Sequence, residues 1–244
     1  MRKMAKGRAA EPPVAAGAPA RPPRADDSIR RELRAAIIDH RIPPGTPLPE
    51  DALSSSFGVS RTIIRKVLQR LSHERLVDIV PNKGATVAKP SNEEARQVFD
   101  ARRAIERAVI ERVIEHVRDP DIDALAALVA DEKTAFEVGD KRRRLTLSGE
   151  FHSRLALLSG NQVLASIVTE LVSRTSLIIA LYELPGAVPC SHGEHLEIID
   201  AIRRRDVRKA IQYMDHHLQH IEAQIDLSDS SFAVDFAKLF GAGR

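Results

Sequence analysis

The sequence has little cysteine, few aromatics and no long uninterrupted apolar run. Its single cysteine, Cys190, excludes an intramolecular disulfide and any zinc finger or iron–sulfur cluster built on several thiolates. With no tryptophan and only seven phenylalanines and two tyrosines among 244 residues, a protein that stacks single-stranded bases is not expected. No stretch reaches the roughly 18 uncharged apolar residues of a membrane helix. The basic amino terminus is interrupted by Ala and Pro and never builds the continuous apolar core of a secretory signal. The expectation is a cytoplasmic chain with no membrane partner. What is present, 43% hydrophobic and 29% charged residues, fits a globular protein of two modest domains.

The net charge of +3 conceals a division along the chain. Residues 1–27 carry +3, residues 28–90 carry +5 and residues 91–244 carry −5. Seven of the nine histidines fall in the acidic part. A basic module that meets a polyanion, joined to an acidic module with a different task, accounts for both distributions.

Periodicity divides the chain at similar points. Residues 1–27, rich in Pro and Ala without a hydrophobic period, read as a disordered tail. From Ser28, Ile29, Leu33, Ile37 and Ile38 recur at helical spacing up to the breaker Pro43-Pro44-Gly45. A short helix fits Glu50 to Phe57, and a third follows the N-cap residue Ser60 through Ile64, Val67, Leu68 and Leu71. Two strands, Val77–Val80 and Ala85–Val87, then flank the turn Pro81-Asn82-Lys83-Gly84. This order predicts a winged helix-turn-helix over residues 28–90. Residues 91–228 read as helices throughout and predict an antiparallel all-helical bundle, so the fold class is mainly α. Residues 229–244, with Phe232, Phe236 and Phe240, form a short amphipathic tail.

In a helix-turn-helix the second helix enters the major groove. Here the apolar face of that helix turns Arg61, Thr62, Arg65 and Lys66 away from the core. Arginine can bind guanine O6 and N7 bidentately, whereas Ser60, Thr62 and Lys66 suit phosphate or single-edge contacts. Asn82, Lys83 and Gly84 form the tip of the wing. A solvated basic face is the alternative for the charges alone; the Gly58 turn and the basic wing favour DNA. The run from Pro44-Gly45 through Leu48, Glu50, Leu53, Phe57 to Arg61, Arg65, Leu68, Leu71, Leu76-Val77, Pro81 and Gly84 resembles the DNA-binding domain of GntR-type bacterial transcription regulators. Ser54, Ile63, Lys66 and Arg75 depart from the usual pattern, so the resemblance does not carry over an operator sequence.

Three histidines sit on or beside apolar stripes of different helices. His195 lies among Ile198, Ile199 and Ile202; His217 borders Ala210, Met214, Leu218 and Ile221; His152 flanks Phe151 and Leu155. His216 and His220 fall off the stripe. Three imidazoles could therefore converge inside the bundle and bind a divalent metal such as zinc or nickel, the other reading being core histidines satisfied by hydrogen bonds. Arg102-Arg103-Ala104-Ile105-Glu106, Phe151-His152, Ser159-Gly160-Asn161, Glu194-His195 and His217-Leu218 resemble the FCD domain of the FadR branch of GntR regulators. The resemblance implies a metal on His152, His195 and His217, with Ser148 as a weak substitute where metal-binding members carry Asp. It also implies a small carboxylate effector, for which Arg102, Arg174 and Asn161 are candidate contacts. For both arginines an internal ion pair is the competing role, with Glu106 placed to neutralise Arg102. The expected protein is a homodimeric repressor on a pseudo-palindromic double-stranded DNA operator. A helical metalloenzyme is disfavoured by the lack of an HExxH or Glu-x-x-His pair, and a constitutive architectural protein needs no polar pocket.

Overall fold

The computed structural model describes residues 25–184 and 192–227; residues 1–24 of the expected disordered tail and the expected amphipathic tail at 229–244 lie outside them. In chain order the elements are α1 (Ala25–Ile38), α2 (Glu50–Phe57), α3 (Arg61–His73), β1 (Val77–Val80), β2 (Gly84–Val87), α4 (Asn92–His116), α5 (Asp119–Glu137), α6 (Lys141–Leu158), α7 (Gln162–Tyr182), α8 (His192–Arg203) and α9 (Val207–Ala223).

The winged domain is built on one apolar cluster. Ile29, Leu33 and Ile37 of α1 meet Ile64, Val67, Leu68 and Leu71 of α3, with Leu48, Leu76, Val77, Ala85 and Val87 closing the wing side. The turn between α2 and α3 needs a left-handed residue, and Gly58 supplies it at φ 63° without the clash a Cβ would bring. The two strands pair antiparallel from Val77 opposite Val87 to Val80 opposite Gly84. Segment 45–48 adds a third edge: Pro47 bridges Thr86, and Leu48 N–H donates to the Ala85 carbonyl at 2.8 Å. The breaker Pro43-Pro44-Gly45 leads into it and Pro47 lies within it, yet Leu48 N–H and Thr46 C=O remain free to pair with β2. The start of α1 is a second correction. Asp26 and Asp27, assigned to the tail, belong to α1, where they hold Lys66 and Arg70 of α3 at 2.7 and 2.6 Å.

The helical domain packs α4 to α9 around a single core. Short polar side chains start its helices: Ser91, Asp140, Asn161 and Asp206 each accept from backbone N–H groups of the first turn. Among the described residues α7 is the one helix long and apolar enough to cross a membrane by composition. It carries Glu170 and Arg174, however, and packs on α1, α4 and α6. One of its residues, Leu177, is fully buried in the core of the winged domain. Beside it, Arg34 donates to the Ser173 hydroxyl at 2.6 Å, Ser176 Oγ donates to the Ile38 carbonyl at 2.9 Å, and Thr146 donates to Asp39 at 2.6 Å. His40 Nε2 lies 2.9 Å from the Ser176 carbonyl. The two domains are thus fastened along α1 and α7.

Candidate functional site

The core of the helical domain contains charge. Arg102 and Glu106 of α4, Glu132 of α5, His152 of α6, His195 of α8 and His217 of α9 are all buried, each interrupting the apolar stripe of its helix. The three imidazoles converge by Nε2. His217 Nε2 is 3.1 Å from that of His152 and 3.2 Å from that of His195. On the opposite side of each ring a carboxylate meets Nδ1: Glu106 with His152 at 2.6 Å, Glu132 with His195 at 2.7 Å and Glu194 with His217 at 2.9 Å. Glu194 also meets His220 Nδ1 at 2.6 Å.

Electrostatics fixes which nitrogens carry protons. Burial alone would raise the Glu106 carboxyl, but the facing Arg102 and His152 outweigh it and hold its pKa at about 2. Burial likewise opposes Glu194, and hydrogen bonds from His217 and His220 bring it to about 2. Ionised carboxylates only accept, so Nδ1 of His152 and His217 must donate. Burial also pushes His152 down to about 4 and His217 well below the ordinary range, which keeps both rings neutral. Their Nε2 atoms then present lone pairs to one another, and such an arrangement calls for a cation between them. Tetrahedral bonds of about 2.0–2.1 Å would space three nitrogens about 3.3 Å apart, close to the observed separations. Formally, buried Glu106 and Glu132 against Arg102 leave −1, and partly exposed Glu194 at the edge of the cluster brings this to −2. The donor set therefore fits a divalent ion.

Beside His152 a cavity of about 50 Å³ is lined by Arg102, Ser148, Thr175, Ser176 and, from the winged domain, Ile38. Arg102 is only 2% exposed. Its Nε donates to Glu106 at 2.7 Å and its Nη1 to Thr175 at 3.4 Å, while Nη2 is buried without a partner. The internal pair with Glu106 and a place in the cavity wall coexist in one side chain. The other two expected effector contacts lie elsewhere. Asn161 caps α7, its Oδ1 accepting from Val163 and Leu164 N–H at 3.0 and 3.2 Å, and Arg174 pairs with Glu94 of α4 at 2.5 Å. Both residues carry out short-range structural work that spacing alone does not distinguish from ligand binding. Glu132 and Glu194 were not assigned to the site. Glu132 was legible at heptad spacing after Leu125, Leu128 and Val129, whereas Glu194 points off its own helix's stripe and reaches His217 on α9 instead.

The second candidate surface is the exposed face of α3. Ser60 is its N-cap residue, with no side-chain cap hydrogen bond. Arg61, Thr62, Arg65 and Lys66 are exposed opposite buried Ile64, Val67, Leu68 and Leu71, and Asn82, Lys83 and Gly84 are exposed at the wing tip. Asn82 and Gly84 adopt φ 63° and 89°, which reverses the chain between the strands. The cations are paired within the domain: Arg65 with Glu50 by two hydrogen bonds of 3.0 and 2.8 Å, Arg61 with Asp51, and Lys66 with Asp26.

A charged helix-turn-helix face joined to a helical domain with a buried histidine cluster agrees with the comparisons to known proteins. Residues 25–87 match the gntR family of bacterial regulatory proteins and residues 97–220 match the FCD domain. The transcriptional repressor RspR of Escherichia coli K12 is 27% identical, over 82% of this chain and 88% of that protein. The repressor NanR of Salmonella newport is 27% identical over 81% and 84%. Two solved structures share the fold: Escherichia coli McbR/YncC, with a TM-score of 0.73 at 17% identity over 82% of this chain and 96% of that one, and a GntR regulator from Rhodococcus sp. RHA1, at 0.70, 24%, 90% and 99%. Its two domains are those of transcription regulators and not of enzymes, and the chain belongs to the GntR family of DNA-binding bacterial regulators, in the FadR-type branch defined by the FCD domain.

Proposed function

We propose that this regulator is a cytoplasmic, homodimeric repressor whose hold on a pseudo-palindromic operator is set by a small carboxylate bound beside a divalent metal. The observation that carries the reading is the convergence of three Nε2 atoms, each ring braced through Nδ1 by a carboxylate. Such bracing fixes the tautomer and the ring orientation of metal-binding histidines. His152, His195 and His217 would hold the ion, and Ser148, one turn before His152, lines the adjoining cavity as a neutral neighbour. The charge that an aspartate would supply at position 148 is present at one remove, on Glu106, Glu132 and Glu194. When bound, the metal would supply a cationic anchor for an effector carboxylate. Arg102, with its unpartnered Nη2, supports the same ligand class, because an enclosed N–H donor favours an anionic oxygen. Val163 and Ile167 support a dimer: they lie one turn apart and exposed on α7, a face suited to a second copy. Two copies would present two recognition helices to adjacent half-sites, through Arg61 and Arg65 at base edges and Ser60, Thr62, Lys66, Asn82, Lys83 and Gly84 at the backbone.

The test is zinc or nickel titration of chelator-stripped protein followed by calorimetry and elemental analysis. One ion per chain is expected, with stoichiometric binding lost in His152→Ala, His195→Ala and His217→Ala and kept in the exposed His216→Ala. A variant Ser148→Asp is expected to tighten the ion. Equal retention of metal by His217→Ala and wild type would refute the tri-histidine site. For the effector, small dicarboxylates and hydroxy acids are screened for release of the protein's own upstream DNA. Arg102→Lys is expected to abolish any response without loss of DNA binding.

A further inference from the structure

The cations of the DNA-facing surface are held from one side by two acids at the start of α2. Glu50 and Asp51 are the first two residues of α2, where the helix dipole favours negative charge. Glu50 accepts from Nε and Nη2 of Arg65, at 3.0 and 2.8 Å. Asp51 meets Nε of Arg61. The Asp51 and Arg61 side chains are 63% and 67% exposed, and ion pairs so exposed add little to a fold. Asp51 also carries a cost in function, because a carboxylate next to the reading helix repels the phosphates of every duplex alike.

The contacts give that carboxylate a task. A guanidinium has five N–H donors, and both acids take the Nε side. For Arg61 that leaves both Nη atoms, and for Arg65 it leaves Nη1, without a partner among the contacts of the described residues, and the edge formed by Nη1 and Nη2 is the fork which fits guanine O6 and N7. Unsupported arginines on a helix surface sample many rotamers and settle on phosphates as readily as on bases. An acid fixed at the start of α2 removes both freedoms together: it limits the rotamers, and it makes a phosphate the worse partner.

We infer that Asp51, seconded by Glu50, is a specificity-determining positioning residue of the DNA interface, holding Arg61 so that its outer edge reads a base while its own charge penalises non-specific DNA. The inference rests on α3 being the reading helix. It predicts opposite changes from one substitution: Asp51→Asn weakens discrimination and strengthens indiscriminate binding. Loss of a merely structural contact would lower both together.

The experiment uses the full chain and a pool of randomised duplexes, with sequence preference from selection and affinity from anisotropy across a salt series. Arg61→Ala is expected to erase preference at one base position. Asp51→Asn is expected to reduce discrimination at that same position by about tenfold. It is also expected to raise affinity for unselected duplex and to steepen the salt dependence by about one. Asp51→Glu restores the wild-type profile, Asp51→Asn/Arg61→Ala matches Arg61→Ala in preference, and melting temperatures stay equal throughout. Unchanged discrimination in Asp51→Asn while Arg61→Ala loses its base overturns the inference alone. So does loss of preference at a cytosine, which would make Asp51 itself the reader. No change in Arg61→Ala overturns the assignment of α3 and the inference with it.

Discussion

The winged and helical domains use the same chemistry, arginine and histidine against carboxylate, in opposite surroundings. On α3 the pairs lie at the surface: Arg61 with Asp51 and Arg65 with Glu50. In the helical domain Arg102, Glu106, Glu132, His152, His195 and His217 are enclosed. Exposed pairs exchange partners at small cost, which suits a surface that must trade a carboxylate for a nucleic acid. Enclosed pairs are costly to separate, because whichever partner remains is stranded away from water. Reversible docking and permanent architecture therefore draw on the same side chains, and burial decides which of the two results.

Four experiments test that contrast, beginning where the effect is largest. Glu106→Leu leaves both the Arg102 guanidinium and the His152 Nδ1–H without their acceptor, and is expected to lower the unfolding free energy by about 3–5 kcal/mol in urea denaturation. A loss no greater than that of a surface pair would erase the distinction. On the exposed side, Arg61→Ala and Arg65→Ala are each expected to weaken specific operator binding by about 1–3 kcal/mol in anisotropy titrations while leaving the melting temperature unchanged. Lys83→Ala at the wing tip is expected to weaken all duplexes equally and to flatten the salt slope by about one. The smallest effect falls at the seam between the domains. Burial lowers the pKa of His40 from its ordinary 6.5, with Lys141 adding to the shift, and outweighs the hydrogen bond to the Ser176 carbonyl and the charges of Glu183 and Asp39, which oppose it. The unfolded chain then binds the extra proton first, so stability from the neutral ring is complete above about pH 6.5 and falls away as the solution is acidified through that value. His40→Asn is expected to remove this dependence, seen as a flatter melting temperature between about pH 5 and pH 8.

Local signals made the winged domain readable from the sequence: the Ser60 cap, the Gly58 turn and the Pro81–Gly84 reversal each act within a few residues. The third edge at Pro47 and Leu48 was hidden because it follows directly on Pro43-Pro44-Gly45, which looks like a terminator when the partner strand is not in view. In the helical domain, phase put His152, His195 and His217 on inward faces and excluded His216, and the structure brings those three together. The same phase argument failed for Glu194, since a residue off its own stripe can still face a neighbouring helix. It also could not show that Leu177 belongs to the core of the other domain, because periodicity reports that a side chain is buried and is silent about which partner buries it. Asn161 caps α7 and Arg174 pairs with Glu94, roles that spacing could not separate from ligand binding because a cap and an ion pair use the same residue types as a ligand site.

The cavity beside His152 measures about 50 Å³, room for a water or two, whereas pockets for organic ligands run to about 300 Å³ and more. Any guest of that size needs the walls to part. One wall is Ile38, the final residue of α1, and the facing wall is Thr175, Ser176 and Ile179 of α7. Two residues along α7 from Thr175, Leu177 is sunk in the winged core, and the Ser176 hydroxyl is tied to the Ile38 carbonyl. Ile38 and Ser176 thus belong at once to the cavity wall and to the seam between the domains, so the contacts that hold α1 against α7 also close this chamber.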